Sequence, residues 1–175
     1  PVIGLDEVGR GPLAGPVVSC GCLFYNYENL DTDIEIKDSK KHTAKQRLKL
    51  FKFFKKLQRE KIIKFHLGFA SVKEIDELNI LEATKLSMKR VIDKFKNKNL
   101  NIIIDGNFSL NYEHINEKSV IGGDKLSLSI AVASIIAKVS RDKLMLNMSK
   151  KFKNYKWDLN AGYGTKDHIL SLIHI

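Results

Sequence analysis

The chain has 175 residues, 43% hydrophobic and 29% charged, with thirty Lys and Arg against twenty Asp and Glu and a formal net charge of +10. That length suits one domain with a single sizeable core, and the composition is ordinary for a soluble globular protein. With no signal peptide and no apolar run long enough to span a bilayer, a secreted or membrane-embedded protein is excluded as an expectation, and a cytoplasmic one is expected. The excess of positive charge favours a polyanionic partner, nucleic acid first, through phosphate contacts. Abundant Lys, Asn and Ile offer a compositional explanation of the same charge.

In chain order, Val2 to Val8 reads as a first strand and Pro16 to Tyr25 as a second, joined by a glycine-rich turn. Cys20 and Cys22 sit two apart in the second strand, on one face, a poor geometry for a disulfide. They read as small apolar fillers. Asn26 to Lys37 is polar and reads as a loop. Thr43 can cap a basic amphipathic helix over Ala44 to Glu60, with Leu48, Phe51 and Phe54 on its apolar face and Leu50 and Leu57 adjoining.

Ile62 to Ala70 alternates as a strand, and Ser71 with Glu74 forms a capping-box pattern before a short helix. Leu81 to Phe95 has helical period. Leu100 to Ile104 is a short buried strand ending at Asp105-Gly106, and Ser119 to Ile121 a further extended piece ending at Gly122-Gly123-Asp124. Leu126 to Met148 is the strongest helix, rich in small and apolar residues. A Gly162-Tyr163-Gly164-Thr165 turn and a last helix close the chain. A hairpin followed by alternating helices and strands implies a mixed α/β sheet flanked by helices. One domain over residues 1–175 is expected, with a C-terminal helical segment from roughly residue 143.

Three strand ends carry acids: Asp6 with Glu7 alongside, Asp105, and Asp124. In α/β sheets sites gather at the carboxyl ends of strands. Four carboxylates converging there would hold Mg²⁺ or Mn²⁺, hard ions that take oxygen ligands and sit about 4 Å apart in two-metal phosphoryl-transfer sites. Singly, each Asp has a structural reading: Asp105-Gly106 is a turn signal, and Asp124 lies where a helix begins.

Gly9-Arg10-Gly11-Pro12-Leu13-Ala14 formally matches a dinucleotide-binding fingerprint, but a strand follows it where that motif needs a helix. Its glycines instead allow a nucleic-acid strand to approach the backbone closely enough for a ribose 2′-OH to be read.

The run from Gly4 to Pro16 resembles the signature of type 2 ribonuclease H, the bacterial ribonuclease HII family. Further blocks match in order: Asp38-Ser39-Lys40-Lys41, Ile104-Asp105-Gly106-Asn107, Gly123-Asp124-Lys125 with Ala133 to Asp142, and Gly162 to Thr165 with His168. The resemblance implies a ribonuclease H-like fold. It implies a metal-dependent endonuclease that hydrolyses the RNA strand of RNA–DNA hybrids and nicks 5′ of single ribonucleotides in duplex DNA, leaving 3′-OH and 5′-phosphate ends.

By the same resemblance Asp6, Glu7, Asp105 and Asp124 would be the catalytic, metal-binding acids, with Mn²⁺ or Mg²⁺ as cofactor. Gly9, Arg10 and Gly11 would contact the 2′-OH, Tyr163 would stack on the next deoxyribose, and Ser39 and Lys40 would bind the phosphate backbone. Arg141 and Asp142 read as a structural ion pair at the end of the long helix. Expected partners are RNA–DNA hybrids and ribonucleotide-containing DNA, with no membrane and a monomeric protein. The alternative is a non-catalytic nucleic-acid-binding module, which accounts for the charge but not for four acids where phosphates would be repelled.

Overall fold

The computed structural model describes residues 2–26, 36, 41–95, 101–112 and 115–174. Ser39 and Lys40, and most of the loop expected over Asn26 to Lys37, lie outside them.

Strands β1 (Val2–Val8) and β2 (Val17–Phe24) form the expected antiparallel hairpin, with Asp6 opposite Cys20. Strand β3 (Ile63–Ala70) adds antiparallel to β2. On the other side β4 (Asn101–Asp105) runs parallel to β1, and β5 (Asn116–Val120) parallel to β4. The sheet order is therefore β3-β2-β1-β4-β5. β5 is longer than its sequence suggested. Its residues alternate without a strongly apolar face, so its pairing with β4 defines it more than its own pattern does.

Helix α1 (Ala44–Arg59) starts at a full capping box: Thr43 accepts from the Gln46 backbone, and the Gln46 side chain accepts from the Thr43 N–H. Its buried face is Leu50, Phe51, Phe54 and Leu57, whereas Leu48 is 38% exposed. The apolar face expected through Leu48 is thus rotated towards Leu50, because positions 50, 54 and 57 stack at helical spacing and 48 falls beside them. Ser71 and Glu74 make the expected capping box, at the start of α2 (Val72–Leu78). Asn79, at positive φ, then caps α3 (Ile80–Ile92), and a 3₁₀ turn completes the stretch to Phe95.

The sequence reads one helix from Leu126, but two are present. A short turn, α4 (Gly123–Leu126), stops at Ser127, whose backbone is extended, before α5 (Leu128–Ser149) begins. Two more helices, α6 (Trp157–Asn160) and α7 (Lys166–His174), form the tail.

The two sheet faces bury separate clusters. Cys20, Cys22 and Phe65 meet α1 and the small, apolar first half of α5, while Ile3, Leu5, Ile102 and Ile104 meet Met88 and Val91 of α3. α5 lies directly on β1: a Cβ at Gly4 would fall 2.4 Å from the Ile130 nitrogen. Both cysteines are buried and free, as expected for fillers. Among the described residues no helix is long and apolar enough to cross a membrane.

Candidate active site

The parallel order β1-β4-β5 brings three carboxyl ends side by side. Asp6 and Glu7 leave β1, Asp105 is the last residue of β4, and Asp124 sits in α4, just past β5. All four acids line one pocket of about 520 Å³ with Gly9, Arg10, Gly11, Arg47, Ser134, Lys138 and Tyr163. Of the residues expected to make the site, every one among the described residues is brought together here; Ser39 and Lys40 are not described.

The acids are held in different ways. Asp6 is 7% exposed and Asp124 is 2% exposed. The Glu7 N–H donates to Asp6 Oδ1 at 2.7 Å, and the Gly123 N–H donates to Asp105 Oδ1 at 2.9 Å. That second bond ties the α4 turn to the end of β4 and so fixes Asp124 near Asp105. Arg10 Nη1 donates to Glu7 Oε1 at 3.4 Å, while its guanidinium lies over the Phe108 ring at 5.5 Å.

Burial, above all, pushes the Asp6 carboxyl well up, the neighbouring charge of Glu7 adds to it, and the Ser134 hydroxyl bond opposes it. Glu7 is also raised, mainly by burial, with the Arg10 charge and hydrogen bond pulling back. Ser134, Arg47 and Lys138 were not placed in the site from sequence. They come from α1 and α5, and only the spacing of Ser134 and Lys138, one helical turn apart, could have marked a shared face.

These residues suit a hard divalent cation. The donors are carboxylate oxygens, four acids of like charge face one cavity, and Glu7 Oε2 is buried with no hydrogen-bond partner. Among the described residues, no three His, Cys, Asp or Glu side chains already form a finished ligand set.

Behind the pocket two loops are locked together. Gly9 has φ +116°, and a Cβ there would lie 2.5 Å from the Pro16 oxygen and 2.9 Å from Arg141 Nε, so the turn admits glycine alone. The Leu13 N–H donates to the Gly162 carbonyl at 2.8 Å. Arg141, fully buried, donates to three backbone carbonyls: Pro16 at 3.0 Å, Ala161 at 2.7 Å and Ala14 at 2.8 Å.

The expected Arg141–Asp142 ion pair is therefore corrected. Asp142 pairs with Lys138 at 2.8 Å, and Arg141 lies inside α5 with its charge spread over carbonyl dipoles. Successive helix residues point about 100° apart, so neighbours in sequence serve different surfaces. His168 is likewise a supporting residue. Trp157 Nε1–H donates to His168 Nε2 at 3.1 Å, which leaves the proton on Nδ1 to meet the Tyr163 carbonyl at 3.0 Å. Tyr163 is thus held from behind, 36% exposed, with the Lys138 ammonium 5.1 Å from its ring centre.

The family model described as ribonuclease HII matches residues 3–175. The chain belongs to the ribonuclease HII family. A ribonuclease HII of Ehrlichia ruminantium (strain Welgevonden) is 49% identical over 174 residues, covering 98% of this chain and 78% of the relative. The solved ribonuclease H2 of Pyrococcus horikoshii OT3 superposes with a TM-score of 0.69 at 27% identity, over 98% of this chain and 84% of that one. The ribonuclease HII in the PCNA complex from Archaeoglobus fulgidus superposes with a TM-score of 0.77 at 24% identity, over 99% and 85%, and shows the shared fold. The ribonuclease H-like fold is thereby established, and with it the enzyme class: an endoribonuclease acting on RNA–DNA hybrids, in a family that depends on divalent metal.

Proposed function

We propose that the protein also nicks duplex DNA 5′ of a single embedded ribonucleotide, leaving 3′-OH and 5′-phosphate ends. The observation that carries this reading is one pocket holding four carboxylates beside the glycine turn and Tyr163. Asp6, Glu7, Asp105 and Asp124 would hold Mg²⁺ or Mn²⁺. Such ions, when bound, lower the pKa of an attacking water and neutralise charge on a phosphate.

The chain's own residues do the rest. Arg47 and Lys138, on the pocket wall, draw in the sugar-phosphate backbone against the repulsion of the acids. The turn at Gly9, Arg10 and Gly11, buried at Gly9 and exposed at Arg10 and Gly11, meets the ribose 2′-OH, the group that separates RNA from DNA. Tyr163, fixed by His168, offers its ring to the following deoxyribose. Ser39 and Lys40 would bind the phosphate backbone. The 2′-OH serves recognition, so the products carry no cyclic 2′,3′-phosphate. A module that only binds nucleic acid has no use for buried acids at the floor of a phosphate pocket.

The deciding experiment is cleavage of a duplex with one ribonucleotide, in Mg²⁺, Mn²⁺ or chelator, with both product ends mapped. A single nick 5′ of the ribonucleotide, lost in chelator, is expected. Cyclic 2′,3′ ends, or cleavage only of long hybrids, would refute the reading.

A further inference from the structure

The basic charge is not spread evenly. Residues 41–64 carry ten Lys or Arg and one acid, Glu60, which accounts for nine of the ten net charges. The remaining chain holds twenty basic and nineteen acidic residues. A general bias towards lysine would not strip acids from one stretch.

Most of that stretch is α1, and its charges are ordered. Lys45, Lys49, Lys52, Lys56 and Arg59 recur at steps of four, three, four and three, and all five are exposed. At 100° per residue they fall within an arc of roughly 80°, opposite the buried Leu50, Phe54 and Leu57. Along the axis they are about 5 Å apart and span about 21 Å. The single acid pairs with Lys56 at 3.7 Å in an exposed i,i+4 contact, too weak to hold that lysine against a phosphate. The first turn of the same helix reaches the catalytic pocket through Arg47.

We propose that this outward stripe of α1 is a second nucleic-acid-binding surface, outside the catalytic pocket, that takes the phosphate backbone of duplex without reading sequence. Duplex DNA presents a charge every 1.7 Å or so of its axis, so about 21 Å of stripe faces roughly six base pairs. A lipid surface suits the stripe less well, because the apolar face that would enter a bilayer is already buried against the sheet. The surface keeps the enzyme on duplex between cleavage events. The inference draws the identity of its polyanion from the nuclease reading above.

The test is the salt dependence of binding to a DNA duplex of about 24 base pairs without a ribonucleotide, followed by anisotropy in chelator. In the variant Lys45→Gln/Lys49→Gln/Lys52→Gln/Lys56→Gln, the log–log salt slope is expected to fall by about 2 to 4. Its kcat on a single-ribonucleotide duplex should stay within about twofold of the parent, because the pocket is untouched. A charge-matched variant, with Lys73, Lys118, Lys150 and Lys153 changed to Gln, should move the slope by less than about 1.

An unchanged slope in the stripe variant overturns the proposal, and so does an equal fall in both variants, which would indicate bulk charge. Loss of adsorption to phosphatidylserine vesicles with DNA binding intact would assign the stripe to lipid instead. If the parent itself fails to cleave, the nuclease reading falls while the binding measurement still judges the stripe.

Discussion

Asp6 lies 7% exposed at the end of β1, with Glu7 beside it and Ser134 bonded to it. Its raised pKa has a definite sign for stability. The folded state disfavours the ionised carboxylate relative to the unfolded chain, whose Asp titrates near 3.8. The cost is complete above the folded pKa and shrinks as pH falls from there towards 3.8. Asp6→Asn should therefore do two things at neutral pH. Cleavage should fall by about 10²-fold or more, since an amide cannot replace a charged ligand. The melting temperature in chelator should rise, read by circular dichroism. A variant that melts lower and still cleaves would show that Asp6 is a structural residue.

At the scale of elements, two helices are fastened by charged side chains of opposite character. Arg141 holds the glycine loop, the Ala161 carbonyl and α5 together from a fully buried position, and burial pulls its guanidinium below the usual arginine range. Arg141→Met should lower stability by about 2–4 kcal/mol by denaturant unfolding, because three carbonyls lose their donor. Glu74 instead works at the surface. Arg90 grips both of its oxygens at 2.6 and 3.0 Å, and the Ser71 N–H donates to it at 2.8 Å. These bonds pull its pKa down from 4.5 to about 2. A depressed carboxylate stabilises fully above the unfolded pKa and loses that contribution as pH falls through the folded one. Acid titration of stability should show a step between pH 4.5 and about 2 that vanishes in Glu74→Gln. An unchanged acid profile would show that the Arg90 contact contributes nothing in solution.

On the scale of the whole molecule, the folded chain gathers like charges that the unfolded chain keeps apart. A divalent cation that binds the folded state alone must stabilise it. At a hundredfold excess over Kd the gain is about 2.7 kcal/mol, and a chain of this size gains about 2–4 °C per kcal/mol. Mg²⁺ or Mn²⁺ should raise the melting temperature of the parent by several degrees and leave an Asp6→Asn/Asp124→Asn variant unmoved. Equal shifts in both would place the cation elsewhere.

Local patterns in the chain were enough for the hairpin, the Thr43 cap and the Ser71–Glu74 capping box, since each depends on residues within a few positions of one another. Asp6, Glu7, Asp105 and Asp124 were legible as candidates because each lies at or just past the end of a strand-like run. Their convergence was not, since it depends on β1, β4 and β5 being neighbours, and hydrogen bonding between distant segments sets that order. The same holds for Ser134 beneath Asp6 and for Arg141 across Ala14, Pro16 and Ala161. Side-chain periodicity says which face of a helix is buried, and only packing decides what that face meets.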